Sequence, residues 1–143
     1  MARVRLELPS DFIYETDIAL RISDINYGNH LGNDAVLSLV HEARVRFLQA
    51  HAWTELDIDG IGLIITDAVI VYKSQGYYGD VLRVAVSAGD FNKYGCDLYY
   101  LLTHARSGNE IARAKTGIVF YDYAAGKMVP APAVFREILP EMG

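Results

Sequence analysis

Between Ser23 and Asp34 the chain reads Ser-Asp-Ile-Asn-Tyr-Gly-Asn-His-Leu-Gly-Asn-Asp. Two acids, three asparagines, two glycines and a histidine fall within twelve residues, just ahead of a long apolar pattern of helical period. A helix N-terminus carries amide groups with no partner in the helix and the positive end of its dipole. Polar side chains gathered there can hold a polarised carbonyl oxygen. Asn26 can donate its amide to such an oxygen or orient a water, or simply close an Asx turn. His30 can donate to a carbonyl or exchange a proton near neutral pH, or bond backbone to close the loop. Gly28 and Gly32 permit close backbone approach, as a backbone oxyanion site requires, and also suit a tight turn.

Three carboxylates could serve as a base. Glu42, two turns into the helix pattern on the flank of its apolar stripe, is the leading choice for activating water. Its alternative role is an i,i+4 pair with Arg46. Asp24 is the reserve, with a plain reading as a turn acid. Asp34 is read as the helix cap, not as a catalyst.

The elements that must position these residues follow from periodicity. Ile13–Ile22 alternates, with Tyr14, Thr16, Ile18, Leu20 and Ile22 on one face, so it predicts a half-buried strand. Asn33 or Asp34 can cap a helix running to about His51, with Val36, Leu39, Val40, Ala43, Phe47 and Ala50 as its stripe. Leu37, Val45 and Leu48 lie off that stripe, which predicts a helix wrapped on several sides. Further strands are expected over Ile61–Lys73, Val81–Ala88, Cys96–Arg106 and Glu110–Tyr121, the last two joined by a Ser107-Gly108-Asn109 turn. Ala133–Leu139 predicts a short final helix, and residues 1–12 read as an arm. Short turns make neighbouring strands antiparallel. One broad apolar helix must then lie on one face of a curved antiparallel sheet. Small residues Ala88, Ala112 and Ala114 would let it approach closely.

Asp24-Ile25-Asn26-Tyr27-Gly28-Asn29-His30-Leu31-Gly32-Asn33, with His41-Glu42-Ala43-Arg44 further on, resembles the pattern of the 4-hydroxybenzoyl-CoA thioesterase-type acyl-CoA thioesterases. Tyr77-Tyr78-Gly79-Asp80 and Val129-Pro130-Ala131-Pro132 also fit, and the resemblance spans residues 12–139. It implies an α+β hot-dog fold, a curved sheet of about five strands around one long helix. It further implies hydrolysis of an acyl-CoA or acyl-carrier thioester by water, with coenzyme A as part of the substrate and no metal or bound organic cofactor. Catalytic roles then fall to Asn26, His30, Glu42 and Asp24, and substrate contacts to Tyr27, Gly28, Gly32 and Asn33. A homodimer or homotetramer with interface sites is implied. Asn26 departs from the pattern, since many members place the catalytic aspartate there. Gly32 replaces an asparagine, and His41 stands where a glutamate is common. Two other readings stay open: a non-catalytic acyl-CoA or acyl-carrier binder, and a 3-hydroxyacyl-thioester dehydratase.

Bulk properties bound the alternatives. The 143 residues suit a single domain, 52% are hydrophobic, and the net charge is −5. An acidic chain offers no electrostatic footprint for nucleic acid. No apolar run reaches membrane-spanning length and no signal-peptide pattern opens the chain, so no membrane partner is expected. A lone cysteine, Cys96, suits a reducing cytoplasm. His41, His51 and His104 are too scattered to predict a metal site. Tyrosines 77, 78, 99 and 100 could line an acyl tunnel or belong to the core. Arg106, Arg113 and Lys115 could meet coenzyme A phosphates from a partner subunit, with plain solvation as the default.

Overall fold

The computed structural model describes residues 3–139. Its elements are β1 (Tyr14–Ala19), a short 3-10 turn (Ile22–Asp24), α1 (Asn33–Gln49), β2 (Gly62–Tyr72), β3 (Val81–Gly89), β4 (Gly95–His104), β5 (Glu110–Asp122), β6 (Lys127–Val129) and α2 (Ala133–Glu137). The sheet is antiparallel throughout, in the order β1-β3-β4-β5-β2, with β6 pairing β5. Alternation sets the faces. Leu82, Val84 and Val86 of β3, Leu98, Tyr100 and Leu102 of β4, and Ala112, Ala114 and Ile118 of β5 are buried on one side. Against them lie Val36, Leu39, Val40, Ala43, Phe47 and Leu48 of α1, forming one core. This is the hot-dog arrangement the pattern predicts. Ala112 and Ala114, both fully covered, are the small residues that let the helix settle on the sheet. Among the described residues no helix is long and apolar enough to cross a membrane.

Several expectations need correction. β1 ends at Ala19, and Ile22, expected on its inner face, sits in the 3-10 turn and is 72% exposed. Neither Asn33 nor Asp34 caps α1. The N-cap is Gly32, with no side-chain cap bond, so both lie inside the first turn. Leu48 joins the buried stripe and Ala50 does not. α1 is covered on one side only, for Leu37, Ser38, His41 and Glu42 are exposed. β6 went unread because its three residues carry too little periodicity. α2 stops at Glu137, short of the expected Leu139. The arm holds no regular element over residues 3–12, although the Leu6 carbonyl accepts a 2.8 Å hydrogen bond from Arg113 Nη1. Residues 1 and 2 of that arm lie outside the described residues.

The outer face of the sheet is laced with ion pairs: Arg83 with Asp17, Arg113 with Glu110, and Lys115 with Asp67 and Asp97. Arg113 and Lys115 are thus engaged within the chain, and no pairing with a ligand phosphate is needed to explain them. Arg113 holds the Glu110 carboxyl below its ordinary value of 4.5, and Lys115 holds Asp67 below its ordinary 3.8. Depressed folded values contribute stability that is fully present above the ordinary ones and lost as pH falls through the depressed ones. Urea midpoints are therefore expected to hold from pH 7 to about 5 and then fall through pH 4 and 3, since carboxylates of ordinary pKa about 4 begin to bind protons there. High salt should shrink that fall. A midpoint insensitive to acid would contradict this account of the pairs.

Candidate active site

The loop ahead of α1 is a tightly bonded unit. Ile25 and Leu31 form an antiparallel bridge. Inside it the Asn26 backbone N–H donates to the His30 backbone carbonyl at 2.9 Å, and the Asn29 backbone N–H donates to the Asn26 backbone carbonyl at 3.0 Å. Asn29 takes a left-handed backbone, φ 68°, a conformation asparagine tolerates better than most residues. The Asn26 side-chain oxygen accepts the Gly28 N–H at 2.9 Å, an Asx turn. Two further bonds fix the loop in space: Leu31 N–H to the Gly76 carbonyl, 2.7 Å, and Gly32 N–H to the Asp24 carbonyl, 3.0 Å. The loop is thereby held between α1 and the β2–β3 connection.

Glycine is favoured twice here by space, not by φ. A Cβ on Gly28 would stand 3.2 Å from His30 Nε2 and 3.4 Å from Asn26 Oδ1. A Cβ on Gly32 would stand 2.7 Å from Asp34 Oδ1 and 3.3 Å from Asn26 Cβ. Asn26 and His30 therefore meet over Gly28, and Asn26 and Asp34 flank Gly32. These juxtapositions gather a side-chain amide, an imidazole and a carboxylate at the amino end of α1. The obstacle at Gly32 is the far end of an exposed side chain, so Gly32→Ala is expected to fold with a modest loss of stability. It should also drive the Asp34 carboxylate from its place, a displacement that a crystal structure of the variant would show. An Asp34 side chain left unmoved would contradict this positioning.

Two recesses open beside the loop. One, of about 220 Å³, is lined by His30, Leu31, Asn33, Tyr72 and Lys73 among others. The second, of about 390 Å³, runs between α1 and β2 and includes Asp34, Leu37, Arg44, Ile65, Ala68 and Thr116. In the first turn of α1, Asn33 lines the one and Asp34 the other. The Tyr72 hydroxyl donates to the Asn33 carbonyl there, at 3.0 Å.

The expected site residues separate on this geometry. Asn26, His30, Gly28, Gly32 and Asn33 come together. Asp24 is buried, its carboxylate accepting the Arg21 N–H at 2.8 Å, a turn-closing role. Glu42, the leading base on sequence grounds, is turned away from both recesses. It accepts from Arg46 Nε at 2.8 Å, while Arg46 also donates to Thr16 Oγ1 and the Asp17 carbonyl, both at 2.9 Å. That arrangement is the surface pair of the alternative reading. Tyr27 projects wholly into solvent and lines neither recess. Tyr100 is core, Tyr99 bonds Asp90, and Tyr77 and Tyr78 are exposed.

Three residues that line the recesses stand outside the set expected to act: Asp34, Tyr72 and Arg44. Asp34 reads as a cap from sequence, although Gly32, two residues earlier, ends the loop. Arg44 carried a legible signal, since a cation at i+4 from Val40 falls on the apolar stripe. It is buried, with Nε donating to Glu55 Oε1 at 2.7 Å and Nη1 to the Tyr100 hydroxyl at 3.4 Å. Tyr100 in turn bonds Thr116 Oγ1 at 2.9 Å. Burial pushes the Tyr100 phenol up, so it stays protonated.

A single long helix laid on an antiparallel sheet, with a polar loop opening recesses at its amino end, defines a hot-dog protein. The chain belongs to the thioesterase-like superfamily, whose sequence profile matches residues 20–139. By sequence alone no curated protein matches it. Solved structures share the fold at low identity. The chain is similar to Slr0204, a 1,4-dihydroxy-2-naphthoyl-CoA thioesterase from Synechocystis, at 19% identity and TM-score 0.80, covering 90% of this chain and 96% of that one. It is also similar to the Aquifex aeolicus protein AQ1494, at 18% identity and TM-score 0.77, covering 89% and 99%. The dynemicin thioesterase gives 17% identity and TM-score 0.77, covering 88% and 94%.

Proposed function

We propose that the protein is a thioester hydrolase cleaving an acyl-CoA or acyl-carrier thioester to the free acid and thiol. The observation that carries this reading is the meeting of Asn26, Gly32 and Asp34 at the amino end of α1. The thioester carbonyl oxygen sits there, accepting from the first-turn amides of Asn33 and Asp34 and from the Asn26 side-chain amide. Asn26 already uses its side-chain oxygen on the Gly28 N–H, so in this reading its NH2 serves the substrate. The Asp34 carboxylate takes a proton from water, and the resulting hydroxide adds to the carbonyl carbon. The tetrahedral intermediate collapses, the C–S bond breaks, and the thiolate leaves and is protonated. His30, which lines the first recess, supplies that proton in this reading. The polar recess of His30, Asn33 and Lys73 suits the thiol side of the substrate, and the α1–β2 groove suits the acyl side.

The active form in this proposal is a homodimer or a higher oligomer. β2 is an edge strand whose Ile64 and Ile65 are each 37% exposed. An unpaired apolar edge of this kind invites a second strand, and pairing it with a second copy would roof the adjoining groove. Ile64→Lys is expected to convert an oligomer to a monomer in light-scattering chromatography and to lower turnover with it. A wild-type monomer with full activity would contradict the arrangement.

Release of free thiol from a panel of acyl-CoAs tests the activity. Sustained turnover by the wild type, much reduced in Asn26→Ala, is the expected result. Saturable binding without turnover would instead make the protein a binder, and hydration of an enoyl-CoA would make it a dehydratase.

A further inference from the structure

The groove between α1 and β2 exposes more apolar than polar surface and carries polar groups at both ends. Leu37, Ile65 and Ala68 supply the apolar lining, interrupted by Ser38 and His41, with Asp34 toward the helix start and Arg44 and Thr116 beyond them. A buried arginine is costly unless its charge is balanced and its donors are used. Glu55 balances the charge from 2.7 Å, and Nη1 is spent on Tyr100. The remaining nitrogen, Nη2, has no partner among the described residues. Every side-chain nitrogen or oxygen wholly removed from solvent among those residues has a partner. Nη2 therefore keeps some exposure, and Arg44 is among the residues that line the groove. An apolar passage ending on a fixed donor in this way is matched to a chain that is apolar for most of its length and ends in an acceptor.

We propose that the groove holds the acyl chain and that Arg44 Nη2 hydrogen-bonds an uncharged oxygen, hydroxyl or keto, near the far end of that chain. The proposal rests on the hydrolase reading above, which places the thioester carbonyl at the first turn of α1. The charges at the far end select the type of acceptor. Glu55 already neutralises the guanidinium, and His41 Nε2 lies 3.4 Å from the same carboxylate. A second carboxylate would meet Glu55, whereas a hydroxyl or carbonyl oxygen adds no charge. The length follows from the helix: from Asp34 to Arg44 is about 15 Å at 1.5 Å per residue. The arginine side chain leans back toward the helix N-terminus and shortens the span. The fit is to an extended chain of about ten carbons, taking roughly 1.2 Å per backbone bond from the extended-chain spacing.

The test is calorimetric binding of carba(dethia)-CoA analogues, which keep the carbonyl and cannot be hydrolysed, to the full chain. Octanoyl, decanoyl and dodecanoyl forms are compared, each ending in methyl, hydroxyl or carboxylate. The wild type is expected to bind the hydroxyl form of one length about tenfold more tightly than the methyl form, as one hydrogen bond to a charged donor gives. The carboxylate form should do no better than the hydroxyl. In Arg44→Met the ratio of hydroxyl to methyl affinity should fall to about one. If that variant does not fold, the wild-type ratio and its dependence on length still decide. A ratio near one at every length, tighter binding of the carboxylate, or no binding of any form overturns the proposal. Thiol release measured in parallel separates the two claims. Turnover with no preference for the hydroxyl removes this inference alone, whereas a preference without turnover removes the hydrolase reading.

Discussion

Asp34→Asn is expected to lower kcat for thioester hydrolysis by about 10²–10⁴-fold, the usual contribution of a positioned general base. The substitution keeps shape and hydrogen-bonding length and removes only the ability to accept a proton. Asp34 is exposed and inside the first turn of α1, so the cost to folding is the lost charge near the helix dipole, about 0.3–1 kcal/mol. KM should change much less than kcat, because the carbonyl's donors remain. Glu42→Gln is the informative companion. It breaks an exposed i,i+4 pair with Arg46, worth about 0.3–0.5 kcal/mol, and should leave turnover at the wild-type level. Loss of activity in Glu42→Gln with retention in Asp34→Asn would return the base to the helix flank and undo the assignment.

Gly95→Ala is expected to be the most damaging conservative substitution in the sheet. Gly95 pairs with Val119 at the start of β4 and is buried. A Cβ there would overlap the Ile118 carbonyl oxygen, 2.9 Å from its carbon and 3.1 Å from Val119 Cα. All three obstacles are backbone of a central strand, which cannot swing aside as a side chain can. Overpacking a core ordinarily costs about 1–3 kcal/mol, and this case belongs at or above that range. Such a loss is a large share of the roughly 5–15 kcal/mol that holds a domain folded. Gly117→Ala makes the contrast. Its Cβ would meet Asp67 and Thr66 side chains, 2.8 Å from Thr66 Oγ1, and these can rotate at the cost of the Lys115–Asp67 pair. Chemical denaturation of both variants should rank Gly95→Ala well below Gly117→Ala. Equal midpoints would contradict the close backbone approach.

Most of the fold was legible because its elements are long and periodic. The alternation in β3 and β5 and the stripe from Val36 to Phe47 name their faces without further information. Legibility fails where a residue's role depends on a partner far along the chain. Glu42 and Asp34 are both carboxylates near a helix start, and only the fold shows that Arg46, held by Thr16 and Asp17, draws Glu42 away. Asp34 stays over Gly32 because no backbone amide captures it as a cap. Arg44 looked like part of a family segment, yet its surroundings, Glu55, Tyr100 and Thr116, come from three separate stretches of chain. Hydrophobic period identifies what is buried, but not which buried donor is left over.

The central claim is that the reacting carbonyl sits at the amino end of α1, and a crystal structure with a bound carba(dethia)-acyl-CoA tests it most directly. The account predicts the carbonyl oxygen within hydrogen-bonding distance of the Asn33 or Asp34 amide or the Asn26 side chain, with an Asp34 oxygen facing the carbonyl carbon across room for one water. An analogue seated elsewhere, such as the recess between Asp11, Phe91 and Arg136, would contradict it.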